Sequence, residues 1–309
     1  MIPDIQVRFL RPDEQLWEAC LAQMPHDFHH KPGYVRLCAE QEGGEPLAFV
    51  AEQGENRFFV PLIVRPIISD RASHGGLYDA TSPYGYPAPL VRGSENGRTQ
   101  AEFLEQAIER LFSGLRRRGI VSLFLRLHPL LPIPLGPFRQ QGTLVHHGET
   151  VFVDLTQPEE EIWHQTRKEH RRKINRAKRN GCVAEIDRDW TRFDEFVDIY
   201  TETMRRVGAA DYYFFPPQYF LDLKDALQGG LHLGIARVND SAACAGLFSE
   251  VCGIVQFHLS GFRPETSQDE PVNLWDFVNE ILTRLDIPPV RRGISLPVAR
   301  AIGGALEWA

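Results

Sequence analysis

The sequence predicts an α/β chain with mixed sheets, built as two tandem domains. Each domain is expected to combine a mostly antiparallel mixed sheet with flanking helices. The first observation is length, because 309 residues suffice for two domains that each bury a core. The second is a repeated order of strand, two helices, three antiparallel strands, helix and strand. This order is complete in the first half and nearly complete in the second, which predicts domains 1–149 and 150–309.

The first half contains short apolar runs bounded by turn residues, which predict strands, and longer periodic stretches, which predict helices. The predicted elements are, in order, the strand Ile5–Leu10, helices near Asp13–Gln23 and Pro32–Glu40, the hairpin Pro46–Glu52 and Arg57–Pro66, the strand-like Gly76–Tyr86, a helix over about Gly97–Arg118 and the buried strand Ile120–Leu127.

The second half repeats that order after a proline-rich connection at 129–137 and a strand at 150–155. Its predicted elements are the strand Cys182–Asp187, helices Asp194–Arg206 and Pro217–Leu227, the hairpin Leu231–Val238 and Ala242–Val251, the strand Ile254–Ser260 and a helix over Pro271–Arg284.

Composition limits the class of protein. The N-terminus has no apolar core of a signal peptide, and no run of about 18 apolar residues predicts a membrane span. Five widely spaced cysteines without a C-x-x-C motif indicate reduced thiols in a cytoplasmic protein. The pairs His29/His30 and His146/His147 lack a carboxylate at ligand spacing, so we expect no metal site.

A basic segment interrupts this acidic chain. Residues 167–179 read RKEHRRKINRAKR, with eight Lys or Arg and one Glu in a chain of net charge −7. Such concentrated charge is typical either of a solvated helix face or of a site for a polyanion.

The basic segment is predicted to form one helix over 163–181 that opens the second domain. Thr156 with Glu159 fits a capping box, and Asn180-Gly181 fits a helix end. One narrow apolar seam recurs at steps of three or four and indicates a surface or cleft helix; it consists of Trp163, Thr166, His170, Ile174 and Ala177.

Three motifs carry a family resemblance. Phe28–Tyr34 reads FHHKPGY, Asp79–Pro87 reads DATSPYGYP, and the segment from Trp163 to Gly181 contains RR-x-I-x-R-A-x-R-N-G. With the repeated element order, these motifs resemble the tandem GNAT-like domains of FemAB-like aminoacyl and acyl transferases.

The resemblance implies an enzyme that transfers an acyl or aminoacyl group to an amine. It implies aminoacyl-tRNA or an acyl-thioester such as acyl-CoA as donor, an amine-bearing small molecule or a peptidoglycan-precursor-like molecule as acceptor, and no tightly bound cofactor. Phosphates of such ligands would suit Arg167, Lys168, Arg171 and Arg172.

Two features of the second half keep an alternative function open. No Q/R-x-x-G-x-G/A loop follows Ser260, which disfavours acetyl-CoA as donor. The tail 286–309 matches no family element, so the second domain either lacks its last strands or ends in a divergent tail. The alternative is a non-catalytic polyanion- or RNA-binding protein on a degenerate GNAT scaffold.

Candidate site residues follow from position. Asp79, at a strand end, is the first candidate for the proton acceptor, with an Asx-turn as the alternative. Strand alternation predicts one polar row of Gln256, His258 and Ser260 opposite an apolar row, with His258 as a second candidate base. By resemblance, the remaining candidates would bind substrate, with aromatic packing as the alternative for the tyrosines: His30, Lys31, Tyr34, Ser82, Tyr84, Gly85 and Tyr86.

Overall fold

The computed structural model of the chain describes residues 4–67, 76–93, 97–146 and 150–263, without the side chains of 97–99. The chain forms two compact units that divide between Val151 and Phe152. The predicted helix Pro271–Arg284, the tail 286–309 and His147 lie outside the described residues.

The first unit begins with a strand and two helices before the central strands of its sheet. Its elements are β1 (Gln6–Leu10), α1 (Gln15–Leu21), a short 3-10 helix (Phe28–His30), α2 (Pro32–Glu42), β2 (Glu45–Gln53), β3 (Asn56–Pro66), β4 (Tyr78–Thr81), β5 (Leu90–Arg92), α3 (Gly97–Arg117), β6 (Ile120–Phe124) and α4 (Gly136–Gln141).

The first sheet has the order β1-β2-β3-β4-β6, and β5 pairs with the first residues of β3. All neighbours are antiparallel except β4 and β6, which are parallel, with Thr81 opposite Phe124. Because parallel strands end at the same edge, the segments after Thr81 and Phe124 start side by side. This edge positions the first candidate site.

One face of this sheet and one stripe of α3 form the core. The α3 residues Leu104, Ile108, Leu111 and Leu115 recur at steps of three or four and are buried against alternate residues of β2 and β3. Burying each such side chain contributes about 1.5–3 kcal/mol. This packing fixes α3 on that face of the sheet. On the opposite face, Trp17 of α1 contacts Phe59 of β3 edge-to-face.

The second unit begins with two helices and then repeats the strand, two helices and three strands with which the first unit opens. Its elements are α5 (Glu159–Gln165), α6 (Lys168–Arg179), β7 (Val183–Asp187), α7 (Phe193–Val207), a short 3-10 helix (Asp211–Tyr213), α8 (Pro217–Leu227), β8 (Leu231–Val238), β9 (Ser241–Val251) and β10 (Ile254–Phe262).

The second sheet is antiparallel throughout, in the order β10-β9-β8-β7. In both units a strand and two helices precede three antiparallel strands, and the first strand pairs with the second. The predicted α/β class with mixed and antiparallel sheets flanked by helices is thereby confirmed. None of the described helices is long and apolar enough to cross a membrane.

The prediction of one continuous helix over 163–181 is wrong. Thr166 and Arg167 have extended backbones, with ψ of 130° and 142°, and they separate α5 from α6. Arg167 is therefore the N-cap residue of α6, where its carbonyl accepts from Arg171 N–H at 3.0 Å. The physical reason is local, because an extended pair cannot continue the i to i−4 hydrogen-bond ladder.

Two further local predictions around this region are also wrong. Pro158 is the N-cap of α5, and no side chain caps that helix end. Thr156 instead donates its hydroxyl to Asp154 at 2.7 Å, which forms a polar turn before the helix. Residues 150–155, expected as a strand, are irregular. The apolar seam agrees with the structure, since Ile174 is buried and the other four members are half-buried.

Candidate functional site

A buried carboxylate joins two distant segments of the first unit. Asp27 caps the 3-10 helix, and its Oδ1 accepts from the backbone N–H of Phe28 at 2.5 Å. Its Oδ2 accepts from His128 Nε2 at 2.8 Å and lies 3.3 Å from His29 Nδ1. All three side chains are at most 2% exposed.

The partners fix the tautomers of two histidines. The backbone N–H of Leu130 donates to His128 Nδ1 at 3.0 Å, so the proton of His128 is on Nε2, facing Asp27. The N–H of Asp27 donates to His30 Nδ1 at 3.1 Å, and His30 Nε2–H donates to the Ala88 carbonyl at 2.9 Å. Both imidazoles are therefore neutral.

The pKa values of the cluster agree with one anion among neutral rings. Burial raises the pKa of Asp27, but the hydrogen bond from His128 and the adjacent His29 ring outweigh it and hold that pKa well below its ordinary value. Burial lowers the pKa of His29 below its ordinary value, and it lowers the pKa of His30 to about 3. The cluster is thus a carboxylate stabilised by N–H donors.

The Asp27, His29 and His128 donor atoms are close enough together to suit a metal ion. A neutral imidazole, however, binds a metal through its unprotonated nitrogen. In His128 that nitrogen is Nδ1, which accepts from Leu130 instead of facing Asp27. The donor set therefore does not fit a metal, and the cluster acts through hydrogen bonds.

Buried side chains of this cluster and of α2 pack against the Asp79–Pro87 motif. The His29 ring lies against Gly85, whose φ of +95° and missing β-carbon permit the contact. The Tyr86 ring centroid is 6.0 Å from both His29 and His128. The hydroxyl of Tyr34 donates to the Tyr84 carbonyl at 3.1 Å.

The structure thus brings together most of the predicted substrate-binding residues of the first unit. Burial divides them into two groups. His30, Tyr34 and Ser82 are buried, whereas Gly85 and Tyr86 are half-buried and Tyr84 is 39% exposed. The buried residues hold the backbone that carries the exposed ones, and direct contact of any of them with a substrate stays a prediction.

Asp79 and Lys31 lie outside this cluster and are ion-paired. Arg65 Nε and Nη2 donate to the two oxygens of Asp79 at 3.1 and 2.7 Å, and Arg65 Nη1 donates to Glu42 at 2.8 Å. Lys31 donates to Glu18 at 3.1 Å. Both oxygens of Asp79 therefore already accept hydrogen bonds from Arg65. The catalytic role of Asp79 stays a prediction.

Asp27, His128 and Arg126 were not predicted from the sequence. The Arg126 N–H donates to Ser82 Oγ at 3.0 Å, and its Nη1 donates to the Ser82 carbonyl at 2.9 Å. Its guanidinium carbon lies 4.9 Å from the Phe124 ring centroid. Arg126 and His128 could have been recognised as a charged residue and a histidine within the otherwise apolar run 120–131.

In the second unit, the predicted polar row of β10 is wrong. Phe257 pairs with Phe248 and Leu259 with Leu247, so a bulge at His258 interrupts the alternation. Gln256 then lies on the face of Ser249, whereas Ser260, opposite Gly246, lies on the other face. A site made by Gln256 and Ser260 together is excluded on this strand, and individual roles stay predictions.

The predicted phosphate-binding residues cluster at the start of α6. Arg167, Lys168 and Arg172 are exposed, and Arg171 is half-buried. Within the described part of the chain, none of these four cations forms an ion pair or a side-chain hydrogen bond. The helix dipole also places positive charge at this end, so the four cations repel one another and the helix terminus.

Part of the second unit is similar to a known domain family. A family model described as an acetyltransferase (GNAT) domain matches residues 164–279. The match covers less than half of the chain and shows what this segment is similar to. The matched segment begins within α5 and includes α6 and every described strand of the second unit. No curated protein shows significant sequence similarity to the chain.

Solved structures extend the likeness to both units. The crystal structure of FemX matches with 10% identity and a TM-score of 0.58, covering 90% of this chain and 84% of FemX. A conserved protein of unknown function from Bacteroides thetaiotaomicron VPI-5482 matches with 11% identity and a TM-score of 0.53, covering 91% and 87%.

A third match is the C-terminal domain (DUF2156) of a lysylphosphatidylglycerol synthetase homologue from Agrobacterium fabrum. It has 15% identity and a TM-score of 0.48, covering 84% of this chain and 70% of that one. At such identities the FemX match shows the fold. The predicted resemblance to FemAB-like proteins is confirmed for the fold, and the domain match supports an acyltransferase in general.

Proposed function

We propose that the protein is a cytoplasmic acyl or aminoacyl transferase that forms an amide bond on an amine acceptor. The donor would be an aminoacyl-tRNA or an acyl-thioester. The observation that carries this proposal is the match of residues 164–279 to a GNAT acetyltransferase domain, within a FemX-like fold. Reduced, mostly buried thiols such as Cys20, Cys38 and Cys244 agree with a cytoplasmic location.

The reaction needs alignment, a proton acceptor and hydrogen-bond donors toward the carbonyl oxygen. The amine nitrogen forms a bond to the acyl carbon, and the C–O or C–S bond to the donor breaks. The ammonium proton passes to a base, and the departing oxygen or sulfur is protonated. No covalent nucleophile is required, which agrees with a chain that has no Gly-x-Ser-x-Gly motif.

The start of α6 supports a phosphate-bearing donor. Its four cations lack partners among the described residues and lie at the positive end of the helix dipole. An anion there would relieve repulsion that the free protein carries. Arginine forks bind phosphate oxygens in pairs, so Arg171 and Arg172 suit such a ligand.

The test has a catalytic arm and a binding arm. Purified protein is screened with labelled aminoacyl-tRNAs and acyl-CoAs against amines from a cell extract, and amide products are identified by mass. We expect a product with one donor class. Its absence with every donor, together with retained tRNA binding, would overturn the transferase proposal in favour of a non-catalytic polyanion-binding protein.

The binding arm measures the tRNA affinity as salt is varied. Log K should fall by roughly 0.7–0.9 per log unit of salt for each phosphate contacted. Replacing Arg167, Arg171 and Arg172 by Ala should flatten that slope. The matched control replaces three exposed arginines of α3 in the first unit, namely Arg110, Arg116 and Arg117. An equal slope in both triple variants would exclude α6 as the phosphate site.

A further inference from the structure

Two cations and two carboxylates lie around β4 and the segment that follows β6. Arg65 joins Asp79 to Glu42 through three hydrogen bonds. Arg126 lies beside the same strand as this pair, since its Nη1 is 3.4 Å from Oγ1 of Thr81, two residues after Asp79 on β4. This four-residue set, here called the strand-end site, has no net charge. None of its members was predicted from sequence except Asp79.

Helix α2 brings Glu42 to this place. Tyr34, Cys38 and Glu42 are spaced four residues apart and therefore lie on one side of the helix. Tyr34 donates to the Tyr84 carbonyl. Burial raises the pKa of Cys38 to about 12, and Tyr34, the Tyr84 backbone and the charge of Arg126 oppose that effect. The same side of α2 thus runs along the segment that follows β4, and Glu42 lies at its end.

Arg126 presents unused hydrogen-bond donors. Its Nη1 is held by the Ser82 carbonyl at 2.9 Å and lies 3.4 Å from Thr81 Oγ1. Among the described residues, no acceptor binds Nε or Nη2, and no carboxylate forms an ion pair with the guanidinium. The ring centroids of Phe124 and Tyr84 lie 4.9 and 5.9 Å from its central carbon. These contacts fix the fork and leave one edge for a planar anion.

Glu42 presents the complementary acceptor. Its Oε2 accepts from Arg65 at 2.8 Å, whereas no described residue donates to Oε1. Burial raises the pKa of Glu42, and the charges of Arg65 and Arg126 oppose that effect. A carboxylate that is partly removed from water gains from an ammonium partner.

The net charge of the strand-end site with a ligand bound distinguishes three classes of charged ligand. A phosphate dianion would give the neutral strand-end site a charge of about −2, and a lone amine would give it about +1. A ligand with one carboxylate and one ammonium leaves it neutral.

We infer that Arg126 and Glu42 bind a zwitterionic, amino-acid-like ligand, with its carboxylate on Arg126 and its ammonium beside Glu42 Oε1. The further statement that this ligand is the acceptor of the transfer rests on the proposed function. It specifies that the acceptor amine also carries a carboxylate. The binding site itself does not require turnover.

The test follows the Nε–Hε NMR signal of Arg126 in arginine-labelled full-length protein, assigned by its loss in Arg126→Gln. Glycine is titrated to about 50 mM, a range that detects millimolar affinity. Acetate, glycinamide and inorganic phosphate are titrated separately. We expect saturable shifts with glycine and at least about fivefold weaker binding of the other three, because each lacks one charge or adds one.

The variants are followed by equilibrium binding of labelled glycine. Glu42→Gln should weaken binding about fivefold, and Arg126→Lys, which keeps the charge but not the fork, about tenfold. Arg118→Gln is the matched control, since Arg118 lies over the Phe9 ring at 4.2 Å in the same unit. It should bind glycine like the unchanged protein.

Three results would overturn the inference: no shift with glycine, acetate or phosphate binding as tightly as glycine, or unchanged binding in Arg126→Lys. Glycine binding without transfer to any donor would leave the inference intact and contradict only the proposed function. Transfer activity that Arg126→Lys does not change, with no glycine shift, would contradict only the inference.

Discussion

His128 donates its Nε2–H to Asp27 at 2.8 Å and so joins two residues 101 positions apart in the chain. The bond ties the segment after β6 to the 3-10 helix that precedes α2. Both side chains are fully buried, which makes the bond expensive to leave unmade. Together they hold in place the Tyr84–Tyr86 segment of the first unit.

Replacing Asp27 by Asn should destabilise the first unit by about 3 kcal/mol, because an amide can accept at only one of its two terminal atoms. Its NH2 group would face the N–H donors of His128 and His29 or that of Phe28. Urea unfolding followed by circular dichroism measures the change. The exposed Asp13→Asn in the same unit is the control and should stay within about 0.5 kcal/mol. Equal losses in both variants would contradict a structural role of the cluster.

The buried histidines should make the protein sensitive to acid. The pKa of His30 falls from 6.5 to about 3 on folding, so the folded state binds fewer protons. Stability from His30 is complete above pH 6.5 and is lost as pH falls toward 3. The loss is on the order of 5 kcal/mol. The lowered pKa values of His29 and Asp27 act in the same direction.

This pH effect is checked by the urea midpoints of unfolding, measured between about pH 7.5 and about pH 4. That range includes the ordinary histidine pKa of about 6.5. His30→Asn should be less stable at neutral pH, since it loses the bond to the Ala88 carbonyl. Its stability should also vary less with pH, because one titrating group is gone. A variant with the same pH slope as the unchanged protein would show that His30 does not cause the effect.

The sequence predicted the order of elements because that order depends on local periodicity and turn residues. The hairpin of β2 and β3, for example, needs only two apolar runs and a turn at residues 54–55. The break between α5 and α6 was not predictable in this way, because Thr166 and Arg167 are acceptable helix residues. Helix ends depend on context beyond composition.

The site was predicted only in part for a different reason. The Asp79–Pro87 motif is contiguous and could be recognised, whereas the Asp27–His128 and Arg65–Glu42 hydrogen bonds join distant segments. Such pairings follow from sheet order and register. The bulge at His258 is a further example, because one extra residue reverses every later side chain of β10.

Replacing Gly85 by Ala should disturb the segment that carries Tyr84. A β-carbon there would overlap the His29 ring, and φ of +95° is unfavourable for any residue with a side chain. We expect a loss of about 2–4 kcal/mol and increased exposure of Tyr84 in solvent-quenching experiments.

Gly43→Ala is the matched control, because Gly43 also has a positive φ, +65°, but has open space around the added β-carbon. It should cost only about 1 kcal/mol. If both variants lost the same stability, backbone conformation alone would account for the effect and the His29 contact would contribute nothing.

The Arg65–Asp79 pair separates a structural from a catalytic role of Asp79. The two side chains are 35% and 30% exposed, so solvent screens the pair and we expect a coupling of only about 1 kcal/mol. A double-mutant cycle with Arg65→Gln and Asp79→Asn, measured by urea unfolding, gives this value.

The same cycle in transfer assays tests the chemistry. If Asp79 accepts the proton, Asp79→Asn should lower kcat by about 100-fold or more, because general-base catalysis contributes about that much. Arg65→Gln would then free the carboxylate and lower kcat far less. If Asp79 only positions Arg65, which also holds Glu42, both single variants should lower kcat alike and the double variant no further. Equal and fully additive losses would contradict both roles, since they would show that the two residues act independently.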